Sequence, residues 1–283
     1  MCGIVYKEMK VLELFAGTGS VGNVMKEHGW EVVSLDRDLP ADISTDIMDW
    51  DYHSFAPGHF DVIWASPPCT EYSIAKRKGI RKLELANSIV QRTLEIIDYL
   101  QPKYYIIENP QTGLLKHQPF MQDRPYNDLD YCRYGFPYKK RTRLWNNLPF
   151  FQPKKCEKLC GWMTEDKKKH CHQAQHSPSG PSARWPEGHR SFSLAHLYSI
   201  PSALTEYIIE CINYSEAMTD DLASRILRGE DSINARSRSA PARYTSPVCA
   251  SRSGGASSCS SGYRWTRRSR TASYSVFSAL SPP

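Results

Sequence analysis

No stretch of this 283-residue sequence is long enough and apolar enough to cross a membrane, and its first residues do not have the pattern of a signal peptide. These absences predict an intracellular, soluble protein with no membrane partner. The nine cysteines are an odd number, which excludes a fully disulfide-paired scaffold and suits a reducing compartment.

Acidic residues are almost missing from 231–283, which contain eight arginines and a single acid, Asp231. This segment carries a net charge of +7 against +6 for the whole chain, so residues 1–230 are close to neutral at −1. It is rich in serine and arginine and has no apolar period. Its composition predicts a disordered tail, which we expect to cover 217–283.

An apolar stretch over 9–15 predicts a strand, and the glycines of the turn that follows it, Ala16-Gly17-Thr18-Gly19, let a ligand approach the backbone closely. The helix after this turn offers free amide donors to a carboxylate or a phosphate. The next predicted strand ends in Asp36, where a carboxylate suits a ribose. Asp46 and Ile47 suit an adenine ring. This region therefore predicts a site for an adenosine-containing cofactor.

The run Ser66-Pro67-Pro68-Cys69 follows an apolar stretch over 60–65 that predicts a buried strand. Cys69 is therefore expected on a rigid loop at the carboxyl end of that strand, where open α/β sheets place their chemistry. The two prolines argue against burial in a core, which is the interpretation for Cys132 and Cys211. Cys69 is the predicted nucleophile.

Two polar motifs follow further along the chain. Glu108-Asn109 comes directly after the apolar run 104–107, which predicts another buried strand, and Arg141-Thr142-Arg143 ends a basic run. By itself the basic run is typical of an exposed or phosphate-facing surface, and even that interpretation favours nucleic acid.

Taken in order, these motifs resemble those of the DNA (cytosine-5-)-methyltransferase family over roughly residues 9–213. The resemblance is carried by Phe15-Ala16-Gly17-Thr18-Gly19, Asp36, Pro68-Cys69, Glu108-Asn109 and Arg141-Thr142-Arg143. It implies an α/β, Rossmann-like methyltransferase fold with a mostly parallel sheet and a small recognition insert. It also implies S-adenosyl-L-methionine as the cofactor and duplex DNA, with a flipped cytosine, as the partner of a monomeric enzyme.

The resemblance further assigns roles to individual residues. Cys69 adds to carbon 6 of cytosine, and Glu108 shares a proton with ring nitrogen 3. Arg143 steadies the carbonyl oxygen of the base, Arg141 supports the same pocket, and the two guanidiniums help to hold the thiolate. The implied cofactor contacts are Phe15, Ala16, Gly17, Thr18, Gly19, Asp36, Asp46, Ile47 and Pro67.

The chain departs from the family pattern in four places. The largest departure is size, because only about fifty residues lie between Trp145 and Ile200, where family members that read long DNA sites carry a much larger recognition domain. Pro110 follows the Glu-Asn pair, Lys139 stands where a glutamine commonly opens the arginine motif, and residues 196–202 replace the usual Gly-Asn-Ser segment. The expected division is a catalytic core over 1–145, a small basic insert over 146–195, a helix over 196–216 that completes the core, and the tail.

The insert carries Cys156-x3-Cys160 and then His170-Cys171, among six lysines. Two cysteines and a later His-Cys pair are candidate ligands of a structural zinc, which would stabilise a loop too short for its own core. The spacing is not one of the common zinc templates, so free thiols on a basic loop are the alternative. The lysines suit phosphate contact under either interpretation.

Three other functions stay open at the level of sequence. The same chemistry on RNA, such as transfer RNA, is one, and a non-catalytic DNA-binding relative is another. An amino-methyltransferase also uses a Ser-Pro-Pro turn but follows it with an aromatic residue, so Cys69 argues against that class.

Overall fold

The computed structural model describes residues 8–74, 76, 79–170, 172 and 192–227. Within these residues the chain forms seven strands and four helices. They are β1 (Lys10–Leu14), α1 (Gly22–Glu27), β2 (Glu31–Asp36), β3 (Ile43–Ser44), β4 (Val62–Ala65), α2 (Leu83–Leu100), β5 (Tyr104–Pro110), β6 (Tyr126–Asp130), β7 (Arg141–Asn146), α3 (Leu194–Tyr198) and α4 (Ser202–Leu227).

The seven strands form one sheet in the order β3-β2-β1-β4-β5-β7-β6. β1 to β5 pair in parallel, and β7 is antiparallel to both of its neighbours. Strands in the middle of such a sheet are covered on both faces, which explains why all four residues of β4 are apolar and buried. This mostly parallel sheet confirms the predicted α/β, Rossmann-like fold, and it brings the carboxyl ends of β1, β4 and β5 to one edge.

Helices cover both faces of the sheet. On one face, Val24 of α1 and Leu204 of α4 pack with Ile106 of β5. On the other face, Val90 of α2 packs with Ile63 and its neighbours on the sheet. Successive side chains of a strand point to opposite faces of the sheet. Alternate residues of each strand therefore pack into the two different hydrophobic cores.

The last helix is longer than the sequence indicated. The predicted helix ended at 216, whereas α4 continues to Leu227. No glycine or proline interrupts the chain from Ala203 until Gly229, so the sequence contains no local signal that would end the helix earlier. No helix in the described part of the chain could span a membrane. Residues 173–191 of the predicted insert and 228–283 of the predicted tail lie outside the described residues.

A buried carboxylate holds the turn after β1 by a hydrogen bond to the start of α1. Glu13 is 3% exposed, and its Oε2 accepts a hydrogen bond of 3.1 Å from the backbone N–H of Gly22 at the start of α1. A side chain at position 22 would collide with this carboxylate, which explains the glycine. Burial raises the pKa of Glu13 to about 7, although the backbone donors of Gly22 and Val21 oppose the shift.

This raised pKa predicts that Glu13 makes the fold less stable as the pH rises. The unfolded chain loses the proton near pH 4.5 and the folded chain near pH 7, so the free energy of unfolding falls across that window. The expected loss from this one group is on the order of 3 kcal/mol. Urea unfolding at pH 5 and pH 8 should show that Glu13→Gln flattens the pH dependence of stability, while Glu31→Gln, at an exposed site, leaves it unchanged. An equally steep pH dependence in the Glu13 variant would contradict the prediction.

Candidate active site

The glycine turn after β1 lines a cleft of about 600 Å³ together with the chain that follows β2. Phe15, Gly17 and Gly19 all have positive φ angles of 56° to 68°, a region that strains the non-glycine residue Phe15. The turn is closed by a hydrogen bond of 2.8 Å from the Gly19 N–H to the Ala16 carbonyl. Ala16, Gly17, Thr18 and Gly19 all line this cleft, as the sequence predicted for a cofactor site.

Asp36 lies at the end of β2 and contacts this turn directly. Its Oδ2 accepts a hydrogen bond of 2.8 Å from the Gly17 N–H, and its Oδ1 accepts from the N–H groups of Asp38 and Leu39. Each carboxylate oxygen has two lone pairs, so Asp36 can still accept from a ligand hydroxyl. The structure therefore brings together the glycine turn and the acid expected to bind a ribose.

The other predicted cofactor contacts, including Phe15 and Asp36, are not among the residues that line the cleft. Ile47 is 3% exposed and packs in the core on the α2 side, and the Asp46 carboxylate accepts a hydrogen bond of 3.2 Å from Arg37. Pro67 is buried at the base of the nucleophile loop, where its carbonyl accepts from the Asn109 side chain at 2.9 Å. The residues that do line the other wall are Leu39, Pro40, Ala41 and Asp42.

The segment that replaces the family's usual Gly-Asn-Ser motif docks against the glycine turn. The backbone N–H of Ile200 donates a hydrogen bond of 3.0 Å to the Ser20 hydroxyl, 180 residues earlier in the chain. Residues 196–202 therefore reach the cofactor side of the sheet although their sequence is different.

Cys69 lies on the loop after β4, at the same edge of the sheet as the glycine turn. Its carbonyl accepts a hydrogen bond of 3.1 Å from the Tyr72 N–H, which makes a tight turn. The Asn109 side chain anchors the loop from the neighbouring strand β5 through Pro67. Cys69 is partly buried and is not paired with another cysteine. The loop thus presents one thiol at the strand ends, as predicted.

Glu108, near the end of β5, is 7% exposed and is held by two partners. Its Oε1 accepts a hydrogen bond of 3.1 Å from the Tyr131 hydroxyl and lies 3.9 Å from Nζ of Lys140. The Lys140 ammonium also lies over the Tyr131 ring, 4.9 Å from its centroid. A buried carboxylate needs such partners because an unpaired buried charge is costly.

The charges around Cys69 act in opposite directions on its thiol. Burial raises the pKa of Cys69, the negative charge of Glu108 raises it further, and the positive charge of Lys140 lowers it. The net effect is a pKa above the ordinary value, so the thiol is protonated when the site is at rest. This differs from the expectation that two arginines hold a thiolate.

The two arginines of the Arg141-Thr142-Arg143 motif reach the opposite face of the sheet. β5 and β7 pair Glu108 with Leu144 and Asn109 with Arg143, so Arg143 lies on the face of Asn109. Its guanidinium donates to both oxygens of Asp128 at 2.7 Å and 3.0 Å, and Arg141 pairs with the buried Asp130 at 3.3 Å. The structure therefore places the cation next to Glu108 at Lys140 rather than at either arginine.

A second acid organises the basic loop that follows Cys69. The Glu71 carboxylate pairs with Lys76 at 2.6 Å and accepts from the backbone N–H of Lys82, just before α2. Arg81 donates to the carbonyl of Glu71 at 2.6 Å. Arg77 and Lys78 of this loop lie outside the described residues.

The predicted metal ligands are partly brought together. Cys156, Cys160 and His170 meet, but the fourth member of the group is Cys132, which the sequence placed in the core. Cys132 is indeed 4% exposed, yet its sulfur faces the other three side chains instead of an apolar cluster. Cys171 lies outside the described residues.

Sequence reasoning missed Tyr131, Lys140 and Cys132. The sequence-based prediction treated the basic run 139–143 as one surface. Side chains along a strand point alternately to the two faces of the sheet, so even and odd positions of this run lie on different faces. With the register of β5 against β7, the same alternation places position 140 on the side of Glu108. No signal in the sequence supplied that register.

The donor set fits the cofactor that the resemblance implies. The cleft combines a glycine turn, where a ligand can approach the backbone closely, with the Asp36 carboxylate at its edge. The thiol of Cys69 and the carboxyl of Glu108 lie at the ends of β4 and β5, next to β1 in the sheet. This arrangement suits nucleophilic addition to an electron-poor ring beside an adenosine-containing donor.

Comparisons with known proteins agree with this chemistry. The chain matches the model of the C-5 cytosine-specific DNA methylase family over residues 9–139. A protein of Frog virus 3 (isolate Goorha), named "Probable DNA (cytosine-5)-methyltransferase", is 36% identical over 192 residues, which are 62% of this chain and 83% of that protein. A solved structure titled "putative DNA modification methyltransferase encoded within prophage" (E. coli) is 16% identical with a TM-score of 0.37, covering 49% of this chain and 46% of that one.

The viral relative is matched over most of its own length. The chain belongs to the C-5 cytosine-specific DNA methylase family, whose enzymes transfer a methyl group from S-adenosyl-L-methionine to carbon 5 of cytosine in DNA.

Proposed function

We propose that this enzyme methylates a cytosine flipped out of duplex DNA, with Cys69 as the covalent nucleophile and Glu108 as the proton-sharing acid. The observation that supports the proposal is that the Cys69 thiol, the buried Glu108 carboxylate and the Lys140 ammonium interact electrostatically at one edge of the sheet. The edge also holds the cleft formed by the glycine turn. A base inside a duplex is out of reach of such a loop, which is why flipping is required.

In the first step the thiol proton of Cys69 passes through water to the Glu108 carboxylate, and the sulfur attacks carbon 6 of the ring. The negative charge of Glu108 opposes this loss. When Glu108 takes up a proton, that opposition ends while the Lys140 charge still favours the thiolate. Protonated Glu108, which ring nitrogen 3 requires, therefore also removes one of the two causes that raise the pKa of Cys69.

Addition of the sulfur forms the bond between sulfur and carbon 6 and pushes electron density toward nitrogen 3 and carbon 5. Glu108 donates its proton toward nitrogen 3, and Tyr131, which donates to the same carboxyl, keeps it oriented. S-adenosyl-L-methionine, when bound, supplies the electrophilic methyl group that carbon 5 accepts. Water then accepts the proton from carbon 5, and the bond between sulfur and carbon 6 breaks. The proton on nitrogen 3 returns to Glu108, which passes it back to the Cys69 thiolate.

Arg141 and Arg143 have a different role in this proposal from the one the resemblance assigned. Their pairs with Asp130 and Asp128 hold β6 against β7 and so fix the strand that follows Lys140. We propose that they position Lys140 and the insert, while Lys140 itself is the cation that acts on Glu108 and Cys69.

The small insert over 146–195 is proposed to contact the DNA backbone. Its lysines at 154, 155, 158, 167, 168 and 169 can neutralise phosphates without reading bases. Since small modules contact a short stretch of duplex, we expect a short or degenerate recognition sequence.

The covalent step predicts that Cys69→Ser loses methylation by about a thousandfold or more while duplex binding is kept. Duplex DNA containing 5-fluorocytosine, incubated with S-adenosyl-L-methionine, should trap the native enzyme. After methyl transfer, fluorine cannot leave carbon 5 as a proton does, so the bond to sulfur persists. A denaturation-resistant adduct that maps to Cys69 by peptide mass spectrometry is the expected result. Methylation of a transfer RNA but not of duplex DNA would overturn the choice of substrate, and an adduct at another cysteine would overturn the nucleophile.

The role of Lys140 predicts two linked effects of Lys140→Met. The pKa of Cys69 should rise, because the charge that lowers it is gone, so alkylation of Cys69 by iodoacetamide should need a higher pH. The turnover number should fall by about 10- to 100-fold. Lys140→Arg should restore both readouts in part, since it keeps the charge.

Lys139→Met is the matched control, because Lys139 pairs with Asp130 at 3.6 Å rather than with Glu108. It should leave the alkylation profile of Cys69 unchanged. If Lys139→Met and Lys140→Met shift that profile equally, the summed positive charge of residues 139–143 controls the pKa of Cys69. The proposed role of Lys140 then fails.

A further inference from the structure

Four side chains that no step of the reaction uses converge beside the sheet. The Sγ atoms of Cys132, Cys156 and Cys160 and a ring nitrogen of His170 all lie within 4.8 Å of one another. Cys156 and Cys160 have their sulfurs 3.6 Å apart, and Nε2 of His170 lies 3.4 Å from the first and 3.2 Å from the second. Such close approach of three thiols and an imidazole needs an explanation.

These spacings match the edges of a zinc tetrahedron. Zinc binds thiolate sulfur at about 2.3 Å and imidazole nitrogen at about 2.0 Å, which in a tetrahedron separates two sulfurs by about 3.8 Å and a sulfur from a nitrogen by about 3.6 Å. A disulfide between Cys156 and Cys160 would need their sulfurs at about 2.05 Å, and both cysteines are free. Three sulfurs and one nitrogen form a ligand set that favours zinc over magnesium or calcium.

The segments that supply the four side chains have little else to hold them together. Cys132 lies in a 3₁₀ turn, Tyr131–Tyr134, directly after β6. His170 closes a small hairpin through a bridge to Met163 and a hydrogen bond between Thr164 and Lys169. Exposed or partly exposed lysines and glutamates dominate the chain between Cys156 and His170, so a hydrophobic core cannot hold this hairpin.

We propose that Cys132, Cys156, Cys160 and His170 bind one structural Zn²⁺ that fastens the basic insert to the catalytic sheet. The set differs from a continuous zinc motif because its first ligand comes from the turn after β6 and the other three come from the insert. The proposal rests on these four side chains and does not depend on the proposed reaction.

The residues next to the four proposed zinc ligands also contact residues of the proposed active site. Cys132 follows Tyr131, whose hydroxyl donates to Glu108. The backbone N–H of Cys156 donates at 2.8 Å to Oδ2 of Asp130, whose other oxygen pairs with Arg141. A metal at this point would therefore fix both the insert and the turn that holds the catalytic carboxyl.

Metal analysis of the full-length chain, purified without chelator, tests the proposal. We expect one zinc per chain, released by a mercurial that titrates thiols. Cys132→Ala and Cys156→Ala should each lose the zinc, while Cys211→Ala, a buried cysteine of α4, should keep it. Cys171→Ala should also keep it, which separates Cys132 from the neighbour of His170 as the fourth ligand.

A second measurement does not depend on variants that fail to fold. Replacing zinc by cobalt in the native chain should give the intense visible bands of tetrahedral thiolate coordination, and His170→Cys should keep one metal while the sulfur-to-cobalt charge-transfer band strengthens. Removal of the metal should speed tryptic cleavage after Lys167, Lys168 and Lys169. A purified chain with no bound zinc and no such cobalt spectrum would overturn the proposal, as would zinc that depends on Cys171 but not on Cys132.

Discussion

The buried carboxylate of Glu108 is the group around which the active site is arranged. At 7% exposure, its charge is tolerated only with close partners, and the Tyr131 hydroxyl and the Lys140 ammonium supply them. Burial raises the pKa of Cys69 and the charge of Glu108 raises it further, which favours a thiol over a thiolate in the resting enzyme. A protonated thiol is less open to oxidation, and neutralising the neighbouring carboxyl removes one of the causes that raise its pKa. In the proposed mechanism, the activation of Cys69 is thus linked to recognition of the base.

Local sequence was sufficient for the parts of the site that depend on a single strand and its turn. Apolar runs predicted β1, β4 and β5, and the ends of those strands predicted the glycine turn, Cys69 and Glu108. The partners of Glu108 could not be predicted, because Lys140 reaches it only through the antiparallel register of β7 against β5. A shift of one residue in that register would exchange the faces of Lys140 and Arg141. Cys132 was missed for a similar reason, since 23 residues separate it from Cys156 and no short zinc template includes it.

The 3₁₀ turn after β6 connects the proposed active site with the proposed zinc site. Tyr131 and Cys132 are adjacent in it, and one contacts the catalytic carboxyl while the other contacts the cysteines and histidine of the insert. In the proposed arrangement, a metal held by Cys132 and the three side chains from 156–170 would therefore also steady Tyr131, which donates to Glu108.

The pH dependence of Cys69 alkylation in Glu108→Gln tests most directly whether the Glu108 charge controls the nucleophile. The variant keeps the size of the side chain and an oxygen that can accept from Tyr131, but it removes the negative charge that raises the pKa of the thiol. We predict that Cys69 is alkylated at lower pH than in the native enzyme even though methylation is lost. An alkylation profile that is unchanged, or that moves to higher pH, would contradict the account.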